Sequence, residues 1–185
     1  MTPCAITNVK TMTLIGITGL KKSGKTTFAQ FLEAAFLPRE THTLCFADAL
    51  KDEVAAACGV TRTYLEDHKD NFRLILQGWG TDFRRNLSNK EYWTSRLVQK
   101  AVQLKHKGCE YVLIPDTRFH NEADVIRNVG GILIRVIGGQ SVQGDFHPSE
   151  LEQMDIKVDE VVNNNKNLAS LKQQAITIAT RLKLV

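Results

Sequence analysis

The apolar positions of this 185-residue chain follow two alternating rhythms. Short, dense apolar runs occupy 14–18, 41–47, 110–115, 131–137 and 158–162. Their length suits strands rather than helices, so they predict five strands. Between them the apolar residues recur at helical spacing. Phe28, Phe31, Leu32, Ala35 and Phe36 make one such face, stopped by Pro38, and Phe72, Ile75, Leu76 and Trp79 make another on a helix expected over 69–79. Ser88 with Glu91 reads as a capping box ahead of Leu97, Ala101 and Leu104. Asn121 and Asp124 read the same way ahead of Ala123, Ile126 and Val129, with Gly130-Gly131 as the stop. Asn167 opens a last helix carrying Leu168, Leu171, Ala175 and Ile178. Strands that alternate with helices need crossover connections, which predicts an α/β fold with a five-stranded parallel sheet and helices layered on both faces. Neither a repeat nor a linker interrupts the pattern. One domain over 13–185 is expected, after an irregular leader over 1–12.

The first strand runs into Gly19-Leu20-Lys21-Lys22-Ser23-Gly24-Lys25-Thr26, and a helical pattern begins at once. Strand, glycine-rich loop and helix in that order form the Walker A arrangement. Its glycines let backbone N–H groups curl around an anion while the helix aims its positive end at the same point. Lys25 can reach the β- and γ-phosphates of a nucleoside triphosphate, and the Thr26 hydroxyl can ligate Mg²⁺. Gly19, Lys21, Lys22, Ser23, Gly24, Lys25, Thr26 and Thr27 are the expected ATP-binding residues.

The net charge of +4 is modest, and no basic block or aromatic-basic interleaving suggests a nucleic-acid surface. A mild positive excess suits small phosphorylated anions. The four cysteines, Cys4, Cys45, Cys58 and Cys109, form no CxxC pair and no metal-ligand spacing, which points to a reducing compartment. The opening residues lack the apolar core of a signal peptide, and no run is long enough to span a membrane. A soluble, cytoplasmic protein is expected.

Further chemistry sits at the carboxyl ends of strands, where open parallel sheets collect ligands. The run Tyr111-Val112-Leu113-Ile114 ends in Pro115-Asp116-Thr117-Arg118. Asp116 is placed there as a Walker B-type acid for Mg²⁺, or as a helix or turn cap. Arg118 is placed to meet phosphate oxygens, or to form a structural ion pair. After the second strand, Asp48 either faces the ligand or caps a helix expected to start at Ala49. On the 69–79 helix, Arg73 and Gln77 are four apart and share a face. A fork-shaped guanidinium there suits a substrate phosphate, and a side-chain amide suits the edge of a base. Thr81, Arg84 and Arg85 follow; the two arginines either form a solvated face or one of them faces inward. Phe72, Trp79 and Phe83 read as core rather than base-stacking platforms. Near 138–155, Gly138-Gly139 precede His147-Pro148-Ser149, a candidate lid in which His147 and Ser149 read as cap or hinge.

In order along the chain, the Walker A loop, "FADALKDEVA", "RLILQGWGTDFRR…YW", "LIPDTRFHNEADVIRNVGGILIRV" and "DFHPSE" resemble the deoxynucleoside monophosphate kinases of tailed bacteriophages over nearly all of 13–183. The resemblance implies an adenylate-kinase-like P-loop fold, a monophosphate-binding part over about 46–95, and transfer of the ATP γ-phosphoryl group to a deoxynucleoside monophosphate. It also implies that Asp48, Lys51, Arg73, Gln77, Thr81 and Arg84 line the acceptor pocket. Asp116, Arg118, Asn121 and Glu122 would organise the transfer centre, with Lys25, Asp116 and Arg118 catalytic and Thr26 and Asp116 on Mg²⁺. The implied partners are ATP and the monophosphate, without nucleic acid or membrane, and a homodimer is compatible with it. Kinases of this type commonly bring lid arginines onto ATP, yet 136–167 contains none. Arg118, Arg127 or Arg135 would then supply that charge, or the lid would work through its backbone.

Two other readings stay open. One is a different small-molecule P-loop kinase, acting on phosphomevalonate or dephospho-coenzyme A; animal phosphomevalonate kinases are similar around the Asp-Thr-Arg block. A base-reading Gln77 favours the nucleotide. The other is a GTPase-like switch, which would need an Asn-Lys-x-Asp guanine reader and an Asp-x-x-Gly switch; neither is present.

Overall fold

The computed structural model describes residues 12–139 and 148–181; the leader up to residue 11 and the candidate-lid residues 140–147, including His147, lie outside the described residues. Five parallel strands, β1 (Thr13–Thr18), β2 (Thr41–Thr43), β3 (Tyr111–Ile114), β4 (Ile132–Gly138) and β5 (Glu160–Asn164), pair in the order β2-β3-β1-β4-β5. β1 is central: Gly16 is in register with Ile114 on one side and Leu133 on the other. The period-2 rule then sorts the strand residues between faces. Ile15, Ile17, Leu113, Ile134 and Val136 pack with Phe28, Leu32 and Phe36 of α1 (Lys25–Phe36) and Leu171 and Ala175 of α8 (Leu168–Arg181). Leu14, Val112, Ile114 and Leu133 pack with Leu97 and Ala101 of α5 (Tyr92–His106) and Ala123 and Ile126 of α6 (His120–Asn128). Burying each large side chain of this kind contributes about 1.5–3 kcal/mol.

The segment between β2 and β3 builds a third apolar cluster apart from the sheet. Val54, Ala55, Leu65 and Leu76 centre it, flanked by Leu50, Val60, Phe72 and Trp79. Its elements are α2 (Phe46–Ala57), α3 (Arg62–Asp67), α4 (Arg73–Gln77) and a π-helix over Gly78–Ser88. α7 (Pro148–Asp155) leads into β5 and starts with Pro148 in its first turn, where a missing N–H costs nothing.

The apolar run 41–47 is strand only to Thr43, because Phe46 and Ala47 already form the first turn of α2. Asp48 is the third residue of that helix and accepts the Cys45 N–H at 3.1 Å, so the helix begins three residues before the expected Ala49. Six-residue α3 is too short to display periodicity; Thr61 caps it by accepting the Tyr64 N–H at 3.1 Å. The expected 69–79 helix is α-helical only over Arg73–Gln77 and then widens into the π form, which runs through Ser88. Ser88 therefore caps nothing, and α5 starts at Tyr92. At α6 the acidic partner is Glu122 rather than Asp124. Asn167 does cap α8, accepting the Ser170 N–H at 2.9 Å.

Candidate active site

The loop after β1 is shaped by its glycines. Gly19 has φ 140°, and a Cβ there would lie 2.2 Å from the Val136 carbonyl oxygen. Gly24 has φ 99°, and a Cβ there would meet the Asn164 amide at 2.4 Å. Both positions thus require glycine for backbone shape and close approach. No side chain caps the start of α1, and its first turn holds no acid. Its N-terminal N–H groups and dipole are therefore available to an anion. Lys25 lies back over the loop, donating to the carbonyls of Gly19 (2.6 Å) and Leu20 (2.8 Å). Ser23 Oγ is fully buried with no hydrogen-bond partner.

A cleft of about 530 Å³ opens in front of this loop, at the carboxyl ends of β1 and β3. Lys21, Lys22, Lys25 and Thr26 line it on the loop side. Asp116 and Arg118 line it from the end of β3. The two Asp116 oxygens accept the N–H groups of Phe46 (3.0 Å) and Ala47 (2.9 Å), so the carboxylate also caps α2. Burial raises the Asp116 pKa, while those two amides and Arg118 pull it back. Thr26 and Asp116 are hard oxygen donors on one cleft, chemistry that suits Mg²⁺ shared with phosphates. Among the described residues no cluster of three or more His, Cys, Asp or Glu could hold a metal alone.

The far wall comes from the third cluster and its π-helix. Lys51, Lys69, Arg73, Gln77, Gly80 and Thr81 line it, with Leu50, Leu76 and Trp93 as its apolar part. Lys51 donates to Glu66 at 2.7 Å. Partial desolvation and the neighbouring Lys51 hold the Lys69 ammonium below its ordinary pKa. Trp93 Nε1 donates to the Gly80 carbonyl at 2.9 Å, fixing the π-helix to α5.

Of the six residues expected to line the acceptor pocket, Lys51, Arg73, Gln77 and Thr81 line this cleft, and of Asn121 and Glu122, expected at the transfer centre, Glu122 does. Asp48, Arg84 and Asn121 are not among its lining residues. Asp48 holds the start of α2 and accepts from Arg62 at 3.0 Å. Arg84 pairs with Glu53 at 2.9 Å and lies 4.7 Å from the Tyr92 ring centre. Asn121 accepts from Arg85 at 2.8 Å and donates to the Lys90 carbonyl. Within the loop set, Lys21, Lys22, Lys25 and Thr26 line the cleft, while Gly19, Ser23, Gly24 and Thr27 lie outside the lining. The sequence reading missed Lys69, and it named Arg84 and Arg85 as a pair but carried only Arg84 into the site. Arg85 is the buried, inward member of its pair, on an element bonded i to i+5 rather than i to i+4; Asn89 N–H to Arg84 C=O at 2.8 Å is one such bond. In an α-helix Arg84, seven residues after Gln77, would return to the Gln77 face. Among the three candidate cations, Arg118 lines the cleft. Arg127 is spent on Asp124 and the Lys157 carbonyl, and Arg135 on the Gln153 and Ile156 carbonyls.

A family model described as deoxynucleotide monophosphate kinase matches residues 59–175, the stretch that supplies most of the far wall together with Asp116 and Arg118. The chain belongs to that family. A protein of Acanthamoeba polyphaga mimivirus named "Putative deoxynucleotide monophosphate kinase" is 35% identical over 194 residues, covering 90% of this chain and 95% of the relative. The deoxynucleotide monophosphate kinase of Enterobacteria phage T4 is 28% identical over 99 residues, covering 54% of this chain and 41% of its own. Among solved structures, an APS kinase from Mycobacterium tuberculosis aligns with a TM-score of 0.50 at 17% identity, covering 91% of this chain and 97% of that one. A Janibacter sugar kinase aligns with a TM-score of 0.51 at 16% identity, covering 94% and 96%. These two likenesses concern the fold, which this family member shares with P-loop kinases.

Proposed function

We propose that this family member transfers the γ-phosphoryl group of ATP to a deoxynucleoside monophosphate, giving the diphosphate and ADP. The observation that carries the reading is one cleft shared by two kinds of wall. Lys25 and Thr26 of the anion loop face Lys51, Arg73, Gln77 and Thr81, and Asp116 and Arg118 stand at the end of β3 beside both. Two anionic reactants repel, so cations on both walls must hold them together while water is excluded. Lys25 leaves its loop carbonyls for the β- and γ-phosphates. Arg118 neutralises the transferring group. Lys51, Lys69 and Arg73 draw in the acceptor phosphate, and Gln77 and Thr81 offer hydrogen bonds to its base.

Mg²⁺ would be held by Thr26, and by Asp116 directly or through water, and would screen the phosphate oxygens. The reaction belongs in the cytoplasm, that of the host if the chain is phage-encoded. A homodimer is compatible with this reading, and light scattering reads out the assembly.

The decisive experiment is a coupled ADP-release assay with ATP against a panel of dNMPs and NMPs, with phosphomevalonate and dephospho-coenzyme A alongside. Turnover confined to monophosphates is expected. Turnover only with phosphomevalonate or dephospho-coenzyme A, or GTP hydrolysis independent of any acceptor, overturns the assignment. Within the panel, Arg73→Ala should weaken every monophosphate alike. Gln77→Ala should reorder the bases by several-fold, since one hydrogen bond is worth about 1 kcal/mol.

A further inference from the structure

Glu122 lies at the cleft yet is only 2% exposed, and its carboxylate bridges two parts of the wall. One oxygen accepts from Arg85 Nη2 at 2.8 Å. The other accepts the backbone N–H of Arg118 at 2.8 Å and of Phe119 at 3.2 Å. Arg85 is 8% exposed, and among the described residues its two Nη atoms donate to Asn121 and Glu122 in the first turn of α6, while its buried Nε has no partner. Its Nη1 donates to Asn121 Oδ1 at 2.8 Å, and its guanidinium lies 3.6 Å from the Phe119 ring centre. Arg85 itself belongs to the π-helix, the element that also carries Gly80 and Thr81 into the cleft.

We propose that Arg85 and Glu122 act as a positioning pair: Glu122 fixes the backbone of Arg118, and Arg85 ties that grip to the π-helical wall facing the acceptor. The inference rests on the phosphoryl-transfer reading, in which Arg118 meets the transferring group. Its physical basis is the shortness of the path. The carboxylate that receives the Arg118 amide also receives the π-helix guanidinium, with no intervening residue. Burial holds the Glu122 carboxyl up at about 7 even though Arg85, the nearby cation, and the two amides pull it down. Losing Arg85 would therefore favour neutral Glu122 and weaken its hold on both amides. A guanidinium already neutralised by a buried carboxylate is poorly suited to gripping a phosphate. Its fork geometry serves two acceptors, Asn121 and Glu122, at once.

The test is a double-mutant cycle on kcat in the full chain, with ATP and a deoxynucleoside monophosphate that the wild type turns over. The variants are Glu122→Gln, Arg118→Ala and the two combined, each checked for folding by circular dichroism. Glu122→Gln should lower kcat roughly tenfold to a hundredfold, as a misplaced reacting group does, with the KM for ATP little changed. On the Arg118→Ala background the same substitution should cost less than about twofold, because its target is gone. Equal losses on both backgrounds, or an unchanged kcat in Glu122→Gln, overturn the pair. If Glu122→Gln does not fold, Arg85→Lys replaces it in the cycle, since an ammonium keeps the charge but lacks the two-pronged fork. A wild type inactive on every monophosphate overturns the phosphoryl-transfer reading instead. An active wild type with additive losses overturns the pair alone.

Discussion

Lys25 spends its ammonium on the carbonyls of its own loop, at 2.6 and 2.8 Å from Gly19 and Leu20. An entering triphosphate offers far more charge than two carbonyls, so Lys25 should turn to it. Lys25→Ala is expected to lower kcat by about 10²-fold or more while circular dichroism and the unfolding midpoint stay close to wild type. Near-normal turnover would remove the loop from the chemistry. Asp116 is a different case, because its oxygens also receive the first two amides of α2. Asparagine keeps one accepting oxygen and turns an NH₂ toward a donor. Asp116→Asn should therefore raise the Mg²⁺ concentration needed for half-maximal rate and also loosen α2. Kinetics at varied Mg²⁺ read the first effect, and amide exchange at Phe46 and Ala47 the second. The strand, glycine-rich loop and helix were legible because strand, glycines, lysine and helix are adjacent in sequence. The second role of Asp116 was not, since its partners lie 70 and 69 residues away.

At the scale of elements, strands and long helices announced themselves through periods of 2 and 3.6, and five parallel strands result. Two features broke those periods. Helix α2 takes over an apolar run that looks like strand, because Asp48 caps it three residues in. The π-helix departs from the 3.6-residue period, so α-helical spacing selects Arg84 where the fold selects Arg85. Arg84 instead serves Glu53, which also accepts from Trp79 Nε1 at 3.1 Å and from the Tyr92 hydroxyl. This carboxylate fastens the π-helix to α2 and α5. Burial tends to raise the Glu53 pKa, but hydrogen bonds from Tyr92, Trp79 and Arg84 outweigh it, and the net shift is downward. A depressed folded-state pKa means stability that is full above the unfolded value and lost as pH falls through the folded one. Denaturant unfolding should show wild type more stable than Glu53→Gln at pH 7, with the gap closing as pH drops below about 4.5. A gap independent of pH would show that Glu53 matters for shape alone.

Across the whole molecule, two apolar clusters flank the sheet and a third stands apart in the 46–79 stretch. Periodicity showed only the Phe72, Leu76 and Trp79 part of that third cluster, since its other short helices are held by contacts across turns rather than by one long stripe. Leu65 is fully buried there. Leu65→Ala should cost about 2–5 kcal/mol as a cavity forms. The loss should fall on the KM for the acceptor, with ATP affinity by equilibrium titration changing little, because no member of that cluster belongs to the loop after β1. Equal weakening of both substrates would show one cooperative core.

That separate cluster bears on how such a chain diversifies. If the far wall takes the acceptor as proposed, its own apolar centre lets it be redrawn by substitutions outside the sheet's two clusters, so a lineage can change its menu of monophosphates while its anion loop stays unaltered. Exchanging 46–93 between relatives is then a graft of an organ rather than a redesign of the body. The sutures lie at Asp116, which holds the start of the graft at Phe46 and Ala47, and at Glu122, which holds Arg85 within it.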